Sequence, residues 1–127
     1  MKIVKLKRYS DVRGHLVENT DKNIMSSSEH FFISKSKAGV IRGNHFHKRK
    51  SEWFYVIQGR CLIITEDINS KKREELIVDE TDDRAVNILP DKAHAFRNLG
   101  KKELILLALV NEVHDQKDPD TYKYKLL

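Results

Sequence analysis

The sequence predicts an all-β domain, folded as a sandwich or barrel. Three observations carry this. Short runs rich in β-branched and aromatic residues recur along the whole chain, and turn residues separate them at regular intervals. No segment sustains a capped 3.6-residue period, and a short turn near Asp82 is the nearest approach to a helix.

The elements follow in order. Ile3 to Lys7 alternates apolar and basic residues, and 29–34 and 40–47 read as strands. Trp53 to Ile57 and Cys61 to Thr65 flank Gln58-Gly59, a tight-turn signal that predicts a hairpin. Asp67-Ile-Asn-Ser-Lys-Lys predicts a second hairpin turn. Strands over 75–78, 85–89, 94–98 and 103–110 complete the set. Within 53–55, one face of the strand must be core, so Trp53, Phe54 and Tyr55 are mostly packing groups.

A chain of 127 residues with 39% hydrophobic content supports one domain, residues 1–127. Its longest apolar run, Leu104 to Val110, has the length of a buried strand and falls short of a membrane span. The first residues, Met1-Lys-Ile-Val-Lys-Leu-Lys, lack the continuous apolar stretch of a signal peptide, so a cytoplasmic location and no membrane partner are expected. Cys61 is the single cysteine, which excludes an intrachain disulfide; its apolar setting predicts an inert, buried thiol. The net charge of +5 comes from 24 basic residues scattered among 19 acidic ones, with no stacking motif, so nucleic acid is not an expected partner. A solvated surface with a local phosphate-binding patch fits better. An edge strand such as Ile3 to Lys7 would otherwise stay unpaired, which favours a homodimer.

The chemistry concentrates in Gly39-Val-Ile-Arg-Gly-Asn-His45-Phe-His47-Lys-Arg-Lys-Ser-Glu52. Residues two apart on a strand point to one side, so His45 and His47 aim two imidazoles into one cavity. Glu52 adds a carboxylate from the next strand and His94 a third imidazole. Such a cluster suits either a divalent metal (Zn²⁺, Mn, Fe or Ni) or proton transfer with His45 or His47 as the base. Arg42 is placed to grip a phosphate in two-pronged fashion. Lys48-Arg49-Lys50 forms a basic turn beside the site, with Lys48 a candidate for a pyrophosphate. Tyr122 is a candidate acid, or else it closes a C-terminal strand. His15, His30 and His114 lack partners at ligand spacing and read as surface residues.

These residues resemble a known family. Gly39, His45, His47, Glu52 and Gly59 match the first cupin motif at every spacing. Pro90, His94 and Asn98 match the second, in which Arg84 and Lys92 replace two glycines and the Pro-to-His spacing is one residue short. Asp11-Val-Arg13-Gly14-His-Leu and Arg42-Gly-Asn-His-Phe-His47 resemble the sugar-nucleotide branch, which includes dTDP-4-dehydrorhamnose 3,5-epimerases and dTDP-sugar 3,4-ketoisomerases. The run from Val40, with Val110-Asn-Glu112 and Asp118-Pro-Asp-Thr-Tyr122, is most similar to the C-terminal cupin domain of capsular polysaccharide UDP-acetamido-sugar reductases.

The resemblance implies a double-stranded β-helix (a jelly-roll barrel), a homodimer, and a UDP- or dTDP-linked 4-keto-6-deoxy sugar as substrate. It implies Arg13 as a further phosphate or sugar ligand, and epimerisation or ketone migration as the reaction. It leaves the metal open, because the dTDP-sugar cupins work without one while the capsular reductase cupin carries zinc. The chain has no Gly-rich dinucleotide fingerprint, so no nicotinamide cofactor is expected. Two other uses of the scaffold stay open, since fold does not fix function: a non-catalytic sugar-binding or regulatory cupin, and a metal-dependent dioxygenase.

Overall fold

The computed structural model describes all 127 residues. In chain order the elements are β1 (Lys2–Lys5), β2 (Lys7–Asp11), β3 (Gly14–Glu18), α1 (Lys22–Ser26), β4 (His30–Ser36), β5 (Ile41–Phe46), β6 (Glu52–Gln58), β7 (Arg60–Asp67), β8 (Arg73–Asp79), β9 (Arg84–Ile88), β10 (Lys92–Asn98), β11 (Leu104–Val110) and β12 (Tyr122–Lys123). They build two five-stranded antiparallel sheets, in the orders β1-β9-β6-β11-β4 and β12-β5-β10-β7-β8, with β2 and β3 as a separate hairpin. The all-β jelly-roll expectation agrees with this architecture.

Alternation explains which side chains fill the space between the sheets. Phe54 and Val56 from β6, Leu104, Leu106 and Ala108 from β11, and Val86 and Ile88 from β9 meet Cys61, Ile63, Val78 and Phe96 from the other sheet. Each fully buried side chain of this size contributes about 1.5–3 kcal/mol. The outer face of the first sheet is partly covered by α1, whose Ile24 packs on Trp53 and Ala85. The outer face of the second sheet is covered by the C-terminal tail, where Leu126 packs on Ile64, Ala93 and Ala95.

Several local expectations change. Gln58-Gly59 is not a hairpin turn: β6 and β7 lie in different sheets, and the turn carries the chain across the barrel. Gly59 takes φ +97°, and a Cβ there would stand 3.2 Å from the Leu104 Cα, so the crossing uses both its conformational freedom and its lack of a side chain. Residues 67–72 do join β7 and β8 as a hairpin. The strand expected over Ile3 to Lys7 breaks at Leu6, whose N–H donates to the Asp83 carbonyl. β2 and β3 carry mostly exposed, weakly alternating residues and escape a reading based on burial. The five-residue helix α1 is too short to show a period, although Asp21 caps it by accepting from the Asn23 N–H. Cys61 is fully buried, and burial pushes its thiol up to about 12, so it is inert.

One irregularity shapes the interior. His94 pairs with His45 and Ala95 with Gly43, which leaves Asn44 as the extra residue of a β-bulge. Asn44 sits at φ +56° and Gly43 at φ +88°. The bulge shifts the alternation by one. Arg42, opposite Phe96, therefore faces the interior together with His45, although the two are an odd number of positions apart. The Asn44 side chain secures the tail: its Oδ1 accepts from the N–H groups of Leu126 (2.8 Å) and Leu127 (3.1 Å).

A Cβ on Gly43 would stand 2.7 Å from the His94 carbonyl oxygen. Gly43→Ala is accordingly expected to cost about 3 kcal/mol, combining left-handed backbone strain with overpacking of β10. Urea unfolding of the two proteins measures the difference.

Candidate active site

The site is assembled from three stretches of chain. His45 comes from the end of β5, His47 from the residue just beyond it, Glu52 from the start of β6, and His94 from β10. His47, Glu52 and His94 are buried, and His45 is partly exposed. The nitrogen donors of the three imidazoles all lie within 4.8 Å of one another. Glu52 Oε1 lies 3.0 Å from His47 Nε2 and 3.4 Å from His94 Nε2. The four residues singled out from sequence therefore converge on one point.

Hydrogen bonds fix which nitrogen faces that point. His47 Nδ1 lies 2.6 Å from the Asp120 carbonyl oxygen, which accepts only, so Nδ1 carries the proton and Nε2 faces Glu52. His94 Nδ1 is likewise placed 3.2 Å from the Lys92 carbonyl, leaving Nε2 toward the centre. A bare lone pair on His47 Nε2 would be repelled by a carboxylate at 3.0 Å. A proton or a cation must stand between them. Burial disfavours the charged form of His47, but the hydrogen bond and charge of Glu52 outweigh it and raise its pKa. Burial also opposes ionisation of Glu52, and the His47 hydrogen bond with the surrounding imidazoles reverses this and lowers its pKa. Burial, then repulsion from His94 and His47, pushes His45 down to about 4, so it is a neutral base at physiological pH. Neither the donor of a hydrogen bond nor its acceptor within the protein engages the His45 ring.

The donor set also fits a divalent ion. Tetrahedral coordination with bonds of about 2.05 Å places ligand atoms about 3.3 Å apart, close to the Glu52 contacts. The two backbone carbonyls behind His47 and His94 supply the outer hydrogen bonds that metal-binding imidazoles need.

Two cavities share this cluster. The larger, about 290 Å³, is lined by Phe32, Ser34, Arg42, His45, His94 and Phe96 among others. The smaller, about 190 Å³, is lined by His30, His45, His47, Lys50, Glu52 and His114 among others. A third, apolar hollow under α1 contains no titratable group besides the Tyr55 phenol. Arg42 stands at the wall of the larger cavity; its Nε donates to Ser36 Oγ (2.7 Å) and a terminal nitrogen to the Lys35 carbonyl (2.9 Å), with no carboxylate partner.

Three candidates are not brought to the cluster. Arg13 lies at the tip of the β2–β3 hairpin, 87% exposed, with its guanidinium engaged by Asp11. Lys48 is exposed and lays its ammonium 4.5 Å from the centre of the Tyr122 ring. Tyr122 pairs with Phe46 and stacks on it, on the face of β5 opposite His45. Cross-strand partners share a face, so the Tyr122 phenol closes the edge of the sheet and does not reach the imidazoles.

Three residues went unrecognised in the sequence, and a fourth, Lys50, reads there only as part of the basic turn beside the site. His30 and His114 line the smaller cavity instead of lying at large on the surface. Lys50 is buried in the basic turn. Asp120, also buried, accepts from the backbone N–H groups of Lys48 (3.0 Å), Arg49 (2.9 Å) and Lys50 (3.0 Å). Burial opposes its ionisation, but those three donors outweigh it and lower its pKa. A run of three residues needing a backbone acceptor, and an Asp following a Pro, was the available signal. Asp120→Ala is expected to cost about 3 kcal/mol by leaving the three donors unpaired. It is also expected to release His47, which differential scanning calorimetry and histidine NMR would register.

Comparison with known proteins places the chain. Residues 9–122 match the family described as the polysaccharide biosynthesis C-terminal domain. A UDP-2-acetamido-2,6-beta-L-arabino-hexul-4-ose reductase of Pseudomonas aeruginosa is 31% identical over 114 residues, covering 90% of this chain and 30% of the reductase. The capsular polysaccharide assembling protein CapF of Staphylococcus aureus superposes with a TM-score of 0.75 at 28% identity, covering 97% of this chain and 33% of CapF. This chain thus spans about a third of the length of each. The dTDP-6-deoxy-D-glucose-3,5-epimerase of Legionella pneumophila, solved with dTDP-4-keto-L-rhamnose, superposes at 0.83 over 98% of this chain and 72% of its own; at 19% identity it shows the shared fold. No helix is long and apolar enough to cross a membrane.

Proposed function

This chain belongs to the polysaccharide biosynthesis C-terminal domain family, and from that premise we propose that it is an epimerase or ketoisomerase acting on a nucleotide-linked 4-keto-6-deoxy sugar in surface polysaccharide biosynthesis. The observation that carries the proposal is the neutral His45, without a hydrogen-bond partner, standing in the wall shared by two cavities beside the His47–Glu52 pair.

The chemistry follows from the substrate class. A ketone at C4 acidifies the C–H bonds at C3 and C5. His45 takes such a proton, and the bonding pair passes into the carbonyl to give an enolate. Return of a proton to the same carbon from the opposite face gives the epimer. Passage through the enediol, with protonation at C4 and loss of the C3 hydroxyl proton, gives the 3-keto isomer. His47, whose protonated form the Glu52 carboxylate favours, is the available acid for the enolate oxygen. Arg42 supplies free guanidinium N–H groups for a phosphate at the rim of the larger cavity.

In the alternative reading of the same cluster, His45, His47, Glu52 and His94 would hold Zn²⁺ or a related divalent ion in place of acid–base work by His45 and His47. When bound, it would polarise the ketone oxygen as a Lewis acid. A homodimer is proposed from the apolar groups left exposed on the first sheet and hairpin, Phe31, Ile33, Tyr9 and Leu16. A cytoplasmic location follows from the nucleotide-sugar substrate class.

Solvent deuterium incorporated into C3 or C5 of a UDP- or dTDP-linked 4-keto-6-deoxy sugar tests the reaction. Wild-type protein is expected to catalyse it, and His45→Ala to slow it by about 10²–10⁴-fold. Absence of exchange with every such sugar would replace this reading with a binding module. Elemental analysis tests the ion separately: near-stoichiometric divalent metal is expected in the wild type and its loss in Glu52→Ala, whereas equal, negligible content in both would leave acid–base chemistry alone.

A further inference from the structure

We propose that Lys50 is the anion-receiving residue of the smaller cavity, where its ammonium takes a negatively charged oxygen of the ligand. This rests on the nucleotide-sugar reading of the site and adds a residue that neither motif contains. Lys50 is 6% exposed, yet no carboxylate lies within ion-pair distance of it, whereas the neighbouring Arg49 reaches Glu112, Asp118 and Asp120. Its Nζ donates to the Pro119 carbonyl (2.9 Å) and lies 3.2 Å from His114 Nδ1, and neither partner is a carboxylate. An ammonium has three N–H bonds, so one remains to be given.

The acids lining the same cavity are already engaged, Glu52 by His47 and His94 and Glu112 by Arg49. A buried cation without a counter-charge is costly unless something supplies one. The backbone holds it there. The N–H groups of 48–50 converge on Asp120, which turns the Lys50 side chain inward while Lys48 stays outside. An enolate oxygen and a diphosphate oxygen share the chemistry this ammonium selects.

The test compares wild type with Lys50→Met, which removes the charge and keeps an unbranched chain. Calorimetry with UDP and dTDP and the deuterium-exchange rate at saturating keto sugar are the two readouts. A tenfold or greater loss of nucleoside diphosphate affinity assigns Lys50 to the diphosphate. Unchanged affinity with a tenfold or greater loss of turnover assigns it to the enolate. Either result, with a melting temperature equal to or above wild type, supports the proposal, because a lysine kept for stability would lower it. A Met variant that binds and turns over as wild type does overturns the Lys50 assignment and leaves the catalytic reading standing. Lys50-dependent binding of UDP or dTDP without any exchange in the wild type does the reverse. Should the variant fail to fold, NMR of the wild-type lysine side chains decides: the Lys50 Nζ signal is expected to move on addition of the nucleoside diphosphate or keto sugar, and an unmoved signal rejects the proposal.

Discussion

The site depends on one buried carboxylate. Asp120 accepts three successive backbone N–H groups through its side chain and the His47 Nδ1–H through its own carbonyl. It holds φ +49° to do both at once. The turn that follows β5 would otherwise carry unpaired donors in a buried place, and His47 would be free to rotate. With the clamp in place, His47 presents Nε2 to Glu52, and Lys50 is folded inward. A tail segment far from the cluster in sequence thus decides the orientation of the residues that the motif supplies.

The second constraint is the bulge at Asn44. A regular strand would have set Arg42 and His45 on opposite faces; the extra residue turns both inward. The same Asn44 ties the C-terminus to the sheet, which joins the interior geometry to the packing of Leu126 on the outer face. Arg42 and Lys50 then stand in two neighbouring cavities whose walls share Phe32, His45 and Glu52. A positive group lies in each cavity, with a neutral base between them.

The strands and the four converging residues were legible because both follow simple rules. Alternation marks strands, and residues two apart share a face, so His45 and His47 were bound to point together. Glu52 and His94 came from spacing within a family pattern. What stayed hidden depended on long-range pairing. Gly59 looks like a hairpin glycine, and only sheet assignment shows that it crosses the barrel. Tyr122 has the chemistry of an acid, but its pairing with Phe46 turns it to the wrong face. Arg13 carries a family motif but ends on an exposed hairpin tip, paired with Asp11. Lys50 sits in a run of three basic residues that differ only in which of them the turn buries. His30 and His114 reach the cavity from strands and loops separated by 84 positions, a distance no local pattern spans.

The most direct test of the account is a crystal structure of the protein soaked with a nucleotide-linked 4-keto-6-deoxy sugar. The keto carbon is expected beside His45 and His47, with His94 and Glu52 converging behind them and the anionic oxygens reached by Arg42 or Lys50. Ligand density elsewhere on the molecule, or imidazoles turned apart from the Glu52 carboxylate, would contradict it.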